Sequence, residues 1–218
     1  MKITYLGHSC FEIETNGKKI LIDPFLIMSP NYLPEGITDI FVTHGHSDHL
    51  GSAIEISKQT GAKITAIFEL AQYCTSKGAA ANGINLGGWI NYKWGKCIAV
   101  PAFHSSSTLD GKNAGCPCGY IFSIEDTVIY HAGDTCLNSE MKVIGEVYQP
   151  QIAMLPIGGY YTMDIEQAVI AADWLGVSEV IPMHYNTFDA INVDVSDFER
   201  QIREKWKMPV ILEVGQSV

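Results

Sequence analysis

The sequence predicts a layered α/β protein, two sheets flanked by helices. Three observations point there. Strand-like runs outnumber helical ones through both halves of the 218 residues. Two hairpins, one ending at Asp23-Pro24 and one at Gly133-Asp134, share a layout of strand, tight turn, strand and then Asp. From residue 138 onward strands alternate with helices, and helices must cover outer sheet faces. The echo between the hairpins is weak in identity. It suggests two similar halves within one domain spanning 1–218, not a repeat array.

Taken in order, residues 2–24 read as three strands. Phe11-Glu12-Ile13-Glu14 and Lys19-Ile20-Leu21-Ile22-Asp23 flank Asn16-Gly17, a strong hairpin signal. Asp39-Ile40-Phe41-Val42 is a buried strand, and Leu50 to Lys58 carries helical spacing. Lys63–Ile67 is a strand, Glu69–Lys77 a helix stopped by Gly78, and 78–88 a Gly/Ala/Asn-rich loop. Cys97-Ile98-Ala99-Val100 is a strand. The second hairpin pairs 120–124 with 127–131 across Glu125-Asp126. Residues 151–156 form a buried strand, and a helix over 163–175 turns Ile165, Ala168, Val169, Ala172 and Leu175 to one face. After the strand 179–183, Ser196-Asp197-Phe198-Glu199 has capping-box spacing and opens a helix with Phe198, Ile202 and Trp206 inward. Pro209–Leu212 closes the chain as a strand.

Composition narrows the class. Hydrophobic residues make up 47% and charged ones 17%, which describes an ordinary globular chain with an ample core. The 14 basic and 24 acidic residues leave a net charge of −10, disfavouring nucleic acid and anionic membrane surfaces as partners. No signal-peptide core opens the chain, and no apolar run approaches the roughly 18 residues of a membrane helix. Six cysteines without a secretory signal imply reduced thiols and a cytoplasmic setting. The expected partner is a small-molecule substrate, with a homo-oligomer left open.

The chemistry concentrates in Thr43-His44-Gly45-His46-Ser47-Asp48-His49. Three of the seven histidines fall within these seven positions, with a carboxylate between two of them. Neutral imidazole and carboxylate are ligands that borderline divalent ions prefer. A segment leaving a strand and entering a helix presents successive side chains around one corner. His104, Asp134 and His184 share the address of His44, each just after a predicted strand, where α/β proteins assemble sites. Taken alone, each of these three reads first as a structural residue.

The heptad, followed by distant His104, Gly133-Asp134-Thr135 and His184, resembles the metallo-β-lactamase superfamily of metal-dependent hydrolases. More narrowly, Gly7-His8-Ser9-Cys10-Phe11, Asp23-Pro24-Phe25, Tyr130–Thr135, Leu155-Pro156-Ile157-Gly158 and Pro182–Thr187 look like its small branch related to L-ascorbate-6-phosphate lactonase. The resemblance covers nearly the whole chain. It implies a four-layer αββα sandwich and two divalent metal ions, zinc by default, with manganese, iron or nickel accepting the same ligands. It puts one ion on His44, His46 and His104, a second on Asp48, His49 and His184, and Asp134 between them. A shared water would then be acidified into a nucleophile, oriented by Asp48 as the catalytic carboxylate. The expected reaction is hydrolysis of an ester, lactone or phosphodiester. The alternative is a non-catalytic metal-binding or sensor protein on the same fold. His46 stands where a redox variant of the fold places Glu, which counts against diiron oxygen chemistry.

Four residues are weaker candidates for substrate contact or support of the ligands: His8, His131, Tyr161 and Asn186. Alternation turns His131 away from Asp134. Cys116-Pro117-Cys118 has the wrong spacing for a C-x-x-C site and reads as free buried thiols.

Overall fold

A computed structural model describes residues 1–218, and the chain divides into two compact units. The first comprises 1–86, 105–118 and 213–218; the second comprises 87–104 and 119–212.

The first unit carries β1 (Lys2–Gly7), β2 (Cys10–Thr15), β3 (Lys18–Ile22), β4 (Ile37–Phe41), α1 (Ser47–Leu50), α2 (Ala53–Thr60), β5 (Lys63–Ile67), α3 (Phe68–Ser76) and β6 (Ala81–Ile84). Its six strands lie side by side in sequence order. The first two pairings are antiparallel and the remaining three parallel. At the first hairpin, Asn16 and Gly17 take φ of 48° and 68°, the two left-handed residues a type I′ turn requires. Ile40 and Val42 join one core with Ile54, Ile56, Ile64 and Leu70, where α2 packs on β4 and β5. Phe41 between them is also buried, so β4 is covered on both faces, as a parallel strand must be. The chain end returns to β1, where Ile3 and Val218 exchange two backbone hydrogen bonds of 2.8 and 2.9 Å.

The second unit carries β7 (Ile90–Tyr92), β8 (Gly95–Pro101), β9 (Cys118–Ile124, from Gly119 on), β10 (Thr127–His131), α4 (Glu140–Tyr148), β11 (Ile152–Pro156), α5 (Ile165–Leu175), β12 (Glu179–Met183), α6 (Val195–Glu204) and β13 (Met208–Pro209). These strands form a seven-stranded sheet in unbroken order from β13 back to β7. Pairing is parallel from β10 to β13 and antiparallel between β9 and β10 and between β7 and β8. Each unit thus joins hairpin strands to a parallel set, the layout the two Asp-terminated hairpins foretell. On α5, Asp164 caps the start by accepting from Gln167 N (2.8 Å), and Ala168, Ala171, Ala172 and Leu175 are buried. None of the helices is long and apolar enough to cross a membrane.

Several expectations need correction. The loop over 78–88 contains β6, an edge strand held by backbone pairing with β5, which side-chain pattern does not report. The helix expected over 50–58 is interrupted, because Gly51 leaves helical backbone (φ 43°) and Ser52 N donates to Pro24 O (2.9 Å). The last helix begins at Val195 on an Asp194 cap, which accepts from Ser196 N at 3.0 Å. It ends at Glu204, so Trp206 falls beyond the face of Phe198 and Ile202 and is 97% exposed, not inward. The final strand is two residues, Met208–Pro209, rather than 209–212.

Candidate metal centre

The first cluster grows from the carboxyl ends of β3 and β4. Parallel pairing sets Ile22 opposite Phe41, so the residues that follow, Asp23 and Thr43, come together. Asp23 is fully buried and accepts three hydrogen bonds. Its Oδ1 takes Thr43 N–H at 2.8 Å, and its Oδ2 takes the Thr43 hydroxyl and His49 Nδ1, each at 2.7 Å. An ionised carboxylate only accepts, so the His49 proton sits on Nδ1 and Nε2 presents a lone pair. Thr43 gives its proton to Asp23, and its oxygen lies 3.1 Å from His44 Nδ1. That favours the His44 proton on Nδ1 as well, which leaves its Nε2 a second lone pair.

His46 completes this arrangement. Its Nδ1 lies 2.9 Å from His44 Nε2, and its Nε2 lies 3.4 Å from Ser105 Oγ. Both nitrogens could serve a common divalent ion after a small adjustment, since two donors on one tetrahedral zinc stand roughly 3.3 Å apart. Gly45 is required between them by close approach, since a Cβ there would collide with Ala114 Cβ and lie 3.2 Å from the Ser107 backbone. Asp48, on α1, brings Oδ2 within 4.0 Å of His49 Nε2 and 3.2 Å of His8 Nε2. A cavity of about 320 Å3 opens beside His46 and Asp48, lined further by Ser47, Ser107, Thr108 and Leu109.

The second cluster lies at strand ends of the second unit. His104 follows β8, Asp134 follows β10 and His184 follows β12. One oxygen of Asp134, Oδ2, is 3.5 Å from His104 Nε2 and 3.1 Å from His184 Nε2, and the residue is only 2% exposed. Thr135 binds these segments together: its Oγ1 accepts from Phe103 N (3.0 Å) and its carbonyl from Met163 N (3.1 Å). A buried carboxylate flanked by two imidazole nitrogens is an oxygen-and-nitrogen donor set suited to a divalent ion.

Each expected ligand therefore lies among like partners: His44, His46, Asp48 and His49 in the first unit, His104, Asp134 and His184 in the second. All seven, with His8, belong to groups whose donor atoms could hold metal. His131 is buried, and its Nδ1 accepts from Gly133 N at 3.2 Å, supporting the backbone before Asp134. Tyr161 is exposed beside Tyr160. Asn186 uses its side-chain oxygen on Val193 N (2.8 Å), which holds its own loop. Of the two thiols expected to be buried, Cys116 is instead exposed, whereas Cys118 is buried and its backbone N–H and Sγ both reach the Thr43 carbonyl, at 3.1 and 3.4 Å. Asp23 and Thr43 appear in the sequence motifs, but their role in holding the histidines is not read from them. Their signal is the strand-end address that Asp23 shares with His44. A second cavity of about 500 Å3, over α3 and β6 and including Phe68, Gln72 and Gly83, has no titratable lining group and offers no comparable chemistry.

Comparison with known proteins gives the class first. Residues 2–184 match the β-lactamase superfamily domain. The chain is 43% identical to a UPF0173 metal-dependent hydrolase of Methanopyrus kandleri, over 100% of this chain and 99% of that protein. It is 46% identical to another from Staphylothermus marinus, over 99% and 97%. The solved metallo hydrolase Igni18 from Ignicoccus hospitalis superposes with a TM-score of 0.90 at 39% identity, covering 100% of this chain and 97% of its own. An isothiocyanate hydrolase from Delia radicum gut bacteria shares the fold at 19% identity (TM-score 0.82; 100% and 98% covered). The chain belongs to the UPF0173 metal-dependent hydrolases of the β-lactamase superfamily, and its fold is the metallo-β-lactamase fold.

Proposed function

We propose that this hydrolase cleaves an ester, lactone or phosphodiester of a small molecule, using two divalent ions, zinc by default. In this reading His44, His46 and His104 hold one ion, Asp48, His49 and His184 the other, and Asp134 serves both. Ions bound there would acidify a water and polarise the carbonyl or phosphoryl oxygen under attack. The chain's own residues do the rest. The observation that carries the proposal is that Asp23 Oδ2 and Thr43 Oγ1 stand 2.7 and 3.1 Å from the Nδ1 atoms of His49 and His44, an arrangement that leaves each Nε2 its lone pair. Asp48, a quarter exposed, is the carboxylate placed to orient a nucleophile and take its proton. The cavity beside it is small enough to select a small molecule, and Ser47 and Ser107 offer it hydroxyls. The lactone option draws on the sequence resemblance to L-ascorbate-6-phosphate lactonase. With all six cysteines free, a reducing, cytoplasmic setting follows as part of the same proposal.

The test loads wild type and His46→Ala with zinc, manganese, iron or nickel. Metal content and hydrolysis of bis(p-nitrophenyl) phosphate, a lactone and a thioester are then measured. Wild type should hold up to two ions and turn over at least one substrate, and His46→Ala should lose at least 100-fold in rate. Full occupancy without turnover of any substrate would favour the sensor reading. Turnover indifferent to His46→Ala would remove the metal mechanism.

A further inference from the structure

His8 has no part in the ligand scheme, yet the first unit goes to some length to place it. It sits in the turn between β1 and β2, fully buried, at φ +55°, a left-handed backbone that costs a non-glycine residue about 1 kcal/mol or more. Gly7 before it has φ +103°, and a Cβ there would come within 2.5 Å of Met28 Cβ. The turn is gripped from three sides. Tyr5 Oη donates to the His8 carbonyl (3.2 Å), Ser29 Oγ donates to the Leu6 carbonyl (2.8 Å), and Phe25 meets the His8 ring edge-on at 5.5 Å. The ring also stands edge-on to His49, at 5.6 Å. All this delivers one polar atom, Nε2, to within 3.2 Å of Asp48 Oδ2.

We propose that His8 is a positioning residue: its Nε2–H holds Asp48 Oδ2 and so fixes how that carboxylate faces the metal site. The assignment rests on the proposed ligand role of Asp48. A carboxylate on a one-turn helix, a quarter exposed, has two rotatable bonds and two equivalent oxygens. A hydrogen bond from a rigid buried donor removes that freedom. Carboxylates that ligate metals depend on such outer partners, whose loss typically lowers affinity or activity 10–100-fold.

Three substitutions separate positioning from simple packing. In His8→Gln the amide Nε2 reaches the place of the imidazole Nε2. In His8→Asn the same group is one carbon too short, though Asn tolerates left-handed backbone better than most residues. In His8→Phe the ring volume remains without a donor. Metal-free protein is titrated with cobalt(II) in competition with a chelator. The visible spectrum, the melting temperature of the metal-free protein and kcat and KM on the best panel substrate are recorded. We expect Gln to stay within about threefold of wild type, and Asn and Phe to lose 10–100-fold in cobalt affinity with an altered spectrum and a fall in kcat greater than any change in KM. Three variants that all match wild type in cobalt affinity and spectrum would overturn the assignment, whatever their melting temperatures. So would Gln failing as badly as Phe, because the ring and not its donor would then matter. Should Phe not fold, the contrast of Gln with Asn decides alone. A wild-type protein that binds no cobalt would instead sink the metal-site reading itself.

Discussion

Replacing Asp23 by Asn puts the tautomer argument at risk with the change of a single atom. The carboxylate accepts from Thr43 N, the Thr43 hydroxyl and His49 Nδ1, all between 2.7 and 2.8 Å. Asn can keep its oxygen on Thr43 N–H, which leaves an NH2 group where Oδ2 was. That group donates, so the most favourable response of His49 is to accept at Nδ1 and carry its proton on Nε2, the atom assigned to metal. Backbone strain does not confuse the result, since Asp23 lies at φ +44° and Asn tolerates that region. The loss of an orienting carboxylate is worth 10–100-fold in metal affinity, or roughly 1.4–2.7 kcal/mol. Metal-free stability should fall by about 1–3 kcal/mol, for one mispaired buried group. Asp23→Ala should cost more, about 3–5 kcal/mol, by leaving three buried donors without their acceptor. Zinc affinity by chelator competition and urea midpoints of the metal-free proteins measure the two effects separately. Wild-type zinc affinity in Asp23→Asn would refute the reasoning, even if the protein were destabilised.

Two further outcomes follow from the packing. Gly45→Ala should lower stability by about 1–3 kcal/mol through collision with Ala114, and Ala114→Gly in the same chain should recover most of it; an unchanged melting temperature for the single variant would contradict the close approach. Cys116 and Cys136 are exposed and the other four cysteines buried, so a thiol reagent should titrate two groups in the native protein and six after unfolding. Burial also pushes the Cys74 thiol from 9.0 up to about 12, so the unfolded chain releases that proton first. Its contribution to stability is complete below pH 9 and is lost as pH rises toward 12. Cys74→Ala should flatten that decline in denaturation series from pH 8 to 11, and an equally steep decline would assign it elsewhere.

The candidate ligand heptad is readable because its geometry is local: two histidines two apart and an Asp-His pair at a strand-to-helix corner need no tertiary information. The role of Asp23 is not, since its partners Thr43 and His49 lie 20 and 26 residues away and meet it only through the β3–β4 register. His104, Asp134 and His184 were legible as strand ends, but their separations of 3.1 and 3.5 Å depend on which strands are neighbours. The misses share a cause. Apolar periodicity reports what a face buries, so it overlooks β6, whose Ala-Asn-Gly-Ile is held by backbone bonds. It also carries Trp206 inward past Glu204, where the helix has already ended.

Backbone strain marks the site in a way no residue pattern reveals. Nine non-glycine residues have positive φ. Four need no special account: Asn16 and Glu125 sit in two-residue hairpin turns, and Gln149 and Trp206 follow the ends of α4 and α6. The other five are His8, Asp23, Tyr160, His184 and Asn186, each a candidate site residue, a support of one, or its chain neighbour. Strain of about 1–3 kcal/mol per residue persists only where surrounding structure enforces it. At His8, Asp23 and His184 the chain has just left a strand, where continued extended backbone would carry the side chain onward. A left-handed residue instead reverses the path and leaves the imidazole or carboxylate at the strand's end. Metal held at His184, and at the His49 and Asp48 that Asp23 and His8 support, would offset that strain, so ion binding and folding stability in this protein should rise together.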